Sequence, residues 1–343
     1  MIYAILFVGL IIIVGAIISF AITKKQNINF LDKDSTDTMK GVAIICVVLC
    51  HYMGTFGQGI TVFTPLGGIG VAIFLILSAY GLNESWNQGG YGWWRKRIIA
   101  VAIPYAIVQC FLYWTCHKFN IGKFLLDIFC IKPLYMNGWY LSYLVLWYIL
   151  FYIINKITFL KQRKVKVFFL LSIILFIIYS IVLNDSLRAE QSFSFLVGII
   201  LSEKKKILID NDTKKVFLNL KTMTLFFIIS IAFLGLKQIP SIHGNKTFVF
   251  DIIQILIKLF AGLGIMELTW FLSKKINMRI FEYIGLFGFE LYIIHGYILE
   301  KVPLTLKGAN FFVVIAFGSA IIYHLFVKKI SRYMKMVILK RNI

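Results

Sequence analysis

Charge is what this sequence has least of. Asp, Glu, Lys and Arg make up only 15% of its 343 residues, and the shortage falls on the acids, 15 against 36 bases. A soluble globular domain carries far more charged surface than this. Cysteine is scarce too: Cys46, Cys50, Cys110, Cys116 and Cys130 form no CxxC pair and lie mostly within or beside apolar segments, so neither a disulfide framework nor a zinc site is indicated. Long polar stretches are missing as well, which leaves no room for a sizeable soluble domain. What is present is 60% hydrophobic residues and a mean hydropathy of +0.85. The chain reads as an all-α, polytopic integral membrane protein, and soluble-enzyme classes fall away.

Apolar segments long enough for a hydrocarbon core of about 30 Å recur along the whole length. Eleven spans are expected, near 2–22, 39–57, 66–86, 97–117, 138–157, 166–183, 191–203, 221–239, 248–272, 283–300 and 311–328. The net charge of +21 would suggest nucleic acid in a soluble protein, but here the bases cluster between the spans, where they set orientation. One alternate set of connections holds Lys24, Lys25, Lys33 and Lys40, then 95–97, 161–166, 204–221, 274–279 and 328–341; the other has only scattered bases such as Lys118, Lys132 and Lys237. The richer set is assigned to the cytoplasm, with the C-terminus inside and Met1 outside. The first span lacks a basic n-region and a small-residue cleavage site, so it is read as a retained helix and not a signal peptide. Abundant lysine, isoleucine, asparagine and tyrosine suit an AT-rich bacterial genome. No internal repeat or heptad pattern is evident, and glycine/proline clusters such as TPLGGIG fall at span edges.

The stretch DTMKGVAIICVVLCHYMG, residues 37–54, places a histidine deep in an apolar run. Eleven residues advance three helical turns, so Lys40 and His51 share a face about 16 Å apart, with Asp37 one turn before Lys40 on nearly the same stripe. A lipid-facing helix would not keep that line. Lys40 can be an ordinary boundary lysine, whereas His51 lies about two-thirds of the way across, where an ionisable group faces a protein interior or a wet cavity. A structural histidine and a catalytic one both fit. Cys46, Cys50 and His51 do not converge on a helix, and no metal is expected.

Other polar groups invite two readings each. Arg95, Lys96 and Arg97 fit either positive-inside anchoring or a phosphate clamp. Ser78, with nearby glycines, allows close helix approach. Glu290, inside an apolar span with Tyr292 and His295, needs a partner, for which His295 or Lys258 are candidates; it serves either as a structural contact or to orient an acceptor or base. Lys258 could pair with Asp251 on its own helix or line an acceptor passage. Trp139 and Tyr140 fit an interfacial aromatic belt. His117, His243 and His324 lie nearer membrane edges.

Taken in order, these segments resemble the acyltransferase-3 family of bacterial membrane O-acyltransferases. Asp37-x-x-Lys40-Gly41 followed by ten residues to His51 is similar to the family's D-x-x-R-G and R-x10-H. GVAIFLILSAYGL, WWRKRIIAVAIPY, NGWYLSYLVLWYI, FSFLVGIILSEKKK and GLFGFELYIIHGYIL resemble its later segments. Lysine stands for arginine at 40, keeping the charge but losing the planar fork; Leu75, Ala79, Val101 and Gly288 also depart from the pattern. The resemblance covers residues 35–330. It implies a ten-helix core after an extra N-terminal helix and linker at 1–34, with a basic cytoplasmic tail at 331–343.

The resemblance further implies acyl transfer, most often of acetyl from acetyl-CoA, to a hydroxyl of a cell-surface or lipid-linked glycan. His51, with Asp37 and Lys40, would be catalytic, and imidazole suits a general base at neutral pH. Lys40, Arg95, Lys96 and Arg97 would hold the anionic CoA. Ser78, Trp139, Tyr140, Glu290, Tyr292 and His295 would contact substrate. The expected partners are membrane lipid and the glycan, with no nucleic acid; no appended extracellular SGNH domain is expected, so any onward transfer calls for separate glycan-biosynthesis proteins. The alternative from residues alone is a transporter or flippase, since His51, Lys258 and Glu290 could line a pathway. A membrane scaffold would not account for six ordered motifs.

Overall fold

The computed structural model describes residues 29–57, 61–89, 92–116, 120–133, 138–205, 219–243 and 248–340, without the side chains of residues 96, 115, 116 and 334–340. The expected span at 2–22, His117 and the side chain of Lys96 therefore lie outside the described residues. Among those residues there are helices and no strands. The main elements are α1 (Lys33–Phe56), α2 (Thr64–Asn87), α3 (Trp93–Arg97), α4 (Ile103–Cys116), α5 (Trp139–Lys156), α6 (Lys164–Ile177), α7 (Ser194–Glu203), α8 (Leu220–Lys237), α9 (Phe248–Ser273), α10 (Arg279–Leu286), α11 (Gly288–Lys301) and α12 (Leu306–Lys340). Short helices at Ile121–Ile128, Thr158–Gln162, Ser186–Ala189 and Pro240–His243 link them.

Local chemistry sets the ends and bends. Pro65 occupies the first turn of α2, where its missing N–H costs nothing. Asn219 caps α8 by accepting from the Thr222 backbone, and Thr222 returns the bond. Between α3 and α4 the backbone widens into a π turn at Ile98–Ala102. Pro104, just beyond it, has no N–H to give to the carbonyl of Ala100 four residues back, which favours the longer-range pattern. Trp93–Trp114 thus forms one crossing of 22 residues.

Seven segments among the described residues are long and apolar enough to cross a membrane. They sort by exposure. Of the apolar windows, 56% is buried in α1 and in α9 but only 6% in α8. So α1, α2 and α9 form the centre, and α8, α6 and α12 turn leucine, isoleucine and phenylalanine outward, as a lipid solvent requires. A second centre is aromatic: Trp147 of α5 stacks on Phe195 of α7 at 4.9 Å, with Phe168 and Phe151 around them.

Two expected spans take another form. The segment at 191–203 is α7, ten residues, about 15 Å long and too short to cross alone. The segment at 283–300 is divided into α10 and α11, with Phe287 between them out of helical geometry. The cause is packing. Gly41 of α1 and Gly285 of α10 let the two backbones meet, and a Cβ at either would collide with the Phe281 or Asp37 carbonyl. This explains the glycine beside Lys40. Gly41→Ala is expected to destabilise by about 1–3 kcal/mol through overpacking, read as a lowered thermal midpoint in detergent. Gly81→Ala, where a Cβ meets nothing within 4 Å, should leave the midpoint in place.

Candidate active site

α1 carries Asp37 and Lys40 at one end and His51 near the other. Lys40 Nζ donates to Asp37 Oδ1 at 2.8 Å, one turn apart as the sequence suggests. Both are about 16–21 Å along the axis from His51, so they do not share its immediate surroundings. His51 instead meets α11. His51 Nδ1 lies 2.7 Å from His295 Nε2, with ring planes 8° apart and centroids at 5.0 Å, as an in-plane N–H···N bond requires.

The proton positions follow from the partners. His295 is completely buried, and its Nδ1 lies 3.0 and 2.8 Å from the carbonyl oxygens of Leu291 and Tyr292. Carbonyls only accept, so His295 Nδ1 is the donor, and the neutral ring presents a lone pair at Nε2. His51 must then donate from Nδ1, which makes its Nε2 the acceptor nitrogen. The backbone of one helix thereby dictates the tautomer of a histidine on another.

Three cavities converge on Tyr292, which lines them all. The largest, about 850 Å³, is lined by Lys33, Lys40, Arg95 and Lys328, together with Ile99, Ala100 and Val101 of the π turn. His51 lines the other two, of about 580 and 470 Å³. Tyr105, Gln109 and Tyr297 border the first of these; Trp139, Glu190, Gln254 and Lys258 border the second. A basic compartment and a histidine compartment therefore adjoin across one tyrosine ring. That ring packs edge-on to Tyr140 at 5.0 Å and lies 5.7 Å from His295.

The remaining sequence candidates divide between these compartments. Ser78 and Tyr140 line the basic cavity, with Ser78 in hydrogen-bonding reach of the Tyr140 and Tyr148 hydroxyls. Tyr140 is buried among the helices, whereas Trp139 is half-buried. Arg97 does not line the basic cavity as Arg95 does, but it reaches the hydroxyl of Tyr148, which does. Glu290 lines that cavity, but its partner is neither His295 nor Lys258. It pairs with His324 of α12, Nδ1 to Oε1 at 3.0 Å. Lys258 does not pair with Asp251: it forms a buried ion pair with Glu190, while Asp251 accepts from Ser180.

Outside the membrane-spanning segments, burial and then the neighbouring Asp34 raise the Glu282 carboxyl above its ordinary range. Cys50 Sγ donates to the Thr64 carbonyl at 3.4 Å. Among the described residues no three histidine, cysteine or acidic side chains gather as a metal site would need.

A family model described as an acyltransferase domain matches residues 33–327, from the start of α1 into α12. The chain belongs to the acyltransferase-3 family. No match was found among curated proteins or among solved structures. As an acyltransferase of this family it is a multi-pass membrane enzyme, and the match takes in both compartments except for Lys328 and Ser331 at the edge of the basic one. Sequence reasoning missed His324 as the partner of Glu290, Glu190 as the partner of Lys258, and Tyr292 as a shared wall. The first two pairings join distant helices, 34 and 68 residues apart, beyond what helical spacing can show.

Proposed function

We propose that this acyltransferase transfers an acetyl group from acetyl-CoA to a hydroxyl of a cell-surface or lipid-linked glycan in the bacterial cell membrane, with the basic cavity facing the cytoplasm. The carrying observation is the His295-fixed tautomer of His51, which leaves Nε2 as the acceptor nitrogen. An alcohol bound beside His51 loses its proton to Nε2 while its oxygen attacks the thioester carbonyl. The C–S bond then breaks, and the CoA sulfur takes the proton back from His51. His295 acts through His51, holding it and sharing the transient charge.

The donor enters the basic cavity. Lys40 and Arg95, with Lys33 and Lys328, give that cavity a positive lining suited to phosphates; Lys96 and Arg97 follow Arg95 in the chain. Asp37 sets Lys40 in place by the bond between them. The glycan enters from the other face, beside Trp139, where a sugar can stack. Ser78, Tyr140, Tyr292 and Glu290 border the path along which donor and acceptor meet. Nucleic acid has no part in this scheme, and onward glycan handling falls to separate proteins.

The test is transfer of label from acetyl-CoA into the glycan fraction of membranes carrying the full chain. Wild type should incorporate label, and Lys40→Met and Arg95→Met should each raise the KM for acetyl-CoA about tenfold. Absence of label with acetyl-CoA, alongside incorporation from another thioester such as succinyl-CoA, would overturn the donor assignment. Labelled lipid without labelled glycan would overturn the acceptor.

A further inference from the structure

Arg95 faces two spaces. Besides the basic cavity it lines a cleft of about 790 Å³ between α3 and the end of α5, a volume in the range of sites for small ligands and cofactors. The cleft has aromatic walls. Trp94 lies 4.8 Å from Trp93 and 5.1 Å from Tyr152, and Trp86 lies 5.9 Å from Tyr152. Trp93 is buried and packs flat on Phe151, so it anchors the wall in the core, whereas Trp94 keeps 36% of its surface exposed.

The mouth is cationic. Lys156 and Lys161 join Arg95 there, and among the described residues that line the cleft none is acidic. Four cations elsewhere do pair with carboxylates: Lys40 with Asp37, Lys164 with Glu203, Arg188 with Asp185 and Lys258 with Glu190. An interfacial tryptophan needs neither a concave setting nor three bases without a carboxylate. Lys156 lies over the Tyr152 ring at 5.6 Å, and flat rings beside positive charge with no carboxylate in the lining suit a ligand that is itself a planar base carrying phosphates.

We propose that the Trp86, Trp94 and Tyr152 cleft binds the adenosine 3′,5′-bisphosphate head of acyl-CoA. The arm bearing the thioester then runs past Arg95 into the basic cavity toward Tyr292. This rests on the acyl-CoA reading of the donor and extends it to a head-group subsite outside the bundle core. Recognition is divided: aromatic faces hold the base, and Lys156 and Lys161 hold phosphate.

Two readouts test it on the full chain purified in detergent. The first is equilibrium binding of labelled adenosine 3′,5′-bisphosphate, competed by CoA. Binding should weaken about tenfold or more in Trp94→Leu and in Lys156→Met/Lys161→Met, all exposed positions, at an unchanged thermal midpoint. The second is the preference, in kcat/KM, for acetyl-CoA over S-acetylpantetheine, which lacks the head; it should fall by a similar factor. Unchanged binding and preference in the variants, with wild type still using acetyl-CoA, would overturn the subsite and leave the donor reading standing. Failure of wild type to bind either the bisphosphate or CoA would overturn both. Nucleotide binding intact in the variants, with less phosphatidylglycerol retained by the detergent-purified protein, would overturn the subsite and make the cleft a lipid headgroup contact.

Discussion

Replacing His51 by alanine is expected to lower acyl transfer by about 10²–10⁴-fold, the range that a positioned general base contributes. Protein level, insertion and thermal midpoint should change little, because His51 is only half-buried and lines two cavities. The measurement is label transferred from acetyl-CoA by membranes containing matched amounts of wild type and variant. Full transfer by well-inserted His51→Ala would remove the base while leaving the enzyme class intact. His295 supplies a sharper comparison. His295→Gln can still donate from its amide nitrogen and accept at its oxygen, whereas His295→Leu removes both capacities. If His295 positions His51, the glutamine variant should retain more activity than leucine, and the loss should fall mainly on kcat. Equal losses in the two variants, matched by equal losses of stability, would mark His295 as a packing residue only.

Removal of one partner from the buried Lys258–Glu190 pair should have the largest effect on stability. Lys258 and Glu190 are 5% and 4% exposed, so Glu190→Ala strands an ammonium among α2, α9 and the turn before α7. Breaking such a pair on one side costs about 3–5 kcal/mol, whereas replacing both charges with apolar groups of similar size is often nearly neutral. The expected result is a large fall in the thermal midpoint for Glu190→Ala and substantial recovery in Glu190→Leu/Lys258→Met. A double variant that loses the sum of the two single losses would show that the two charges are not coupled. The pair also borders a cavity lined by His51, so the double variant separates stability from acceptor handling: a recovered midpoint with a raised acceptor KM would place the pair in contact with substrate.

Composition alone made the membrane-embedded helical fold legible, since so few charges can solvate no large soluble surface. His51 was legible because a histidine deep in an apolar run has to face something other than lipid. The order of the motifs pointed to the family. Pairing between helices was hidden. Helical spacing relates a residue to neighbours three or four positions away, so it could not find the partner of Glu290; the sequence offered Lys258 and His295 only as other ionisable groups within spans, whereas the partner is His324 on α12. Spacing also treated 283–300 as one rod, because nothing in hydropathy announces that Gly41 and Gly285 let two backbones meet and force a break at Phe287. Trp93 and Trp94 illustrate the same limit. The sequence reading weighed the adjacent bases and passed over the two indoles, whose shared cleft forms only when α5 brings Tyr152 alongside.

The π turn at Ile98–Ala102 bears on how the two compartments can be served by one crossing. On an unbroken helix Arg95 and Gln109, fourteen positions apart, would point within about 40° of one another. One widened turn slips the phase of everything beyond it by about a residue. Arg95 and Val101 then border the basic cavity, while Tyr105 and Gln109 border the cavity of His51. A helical wheel drawn through this segment would put donor-side and acceptor-side residues on a single stripe, and substitutions chosen from that wheel would mix two compartments. Restoring regular pitch, by giving position 104 a residue with an N–H, would rotate one half of the crossing against the other and uncouple sides that share a wall.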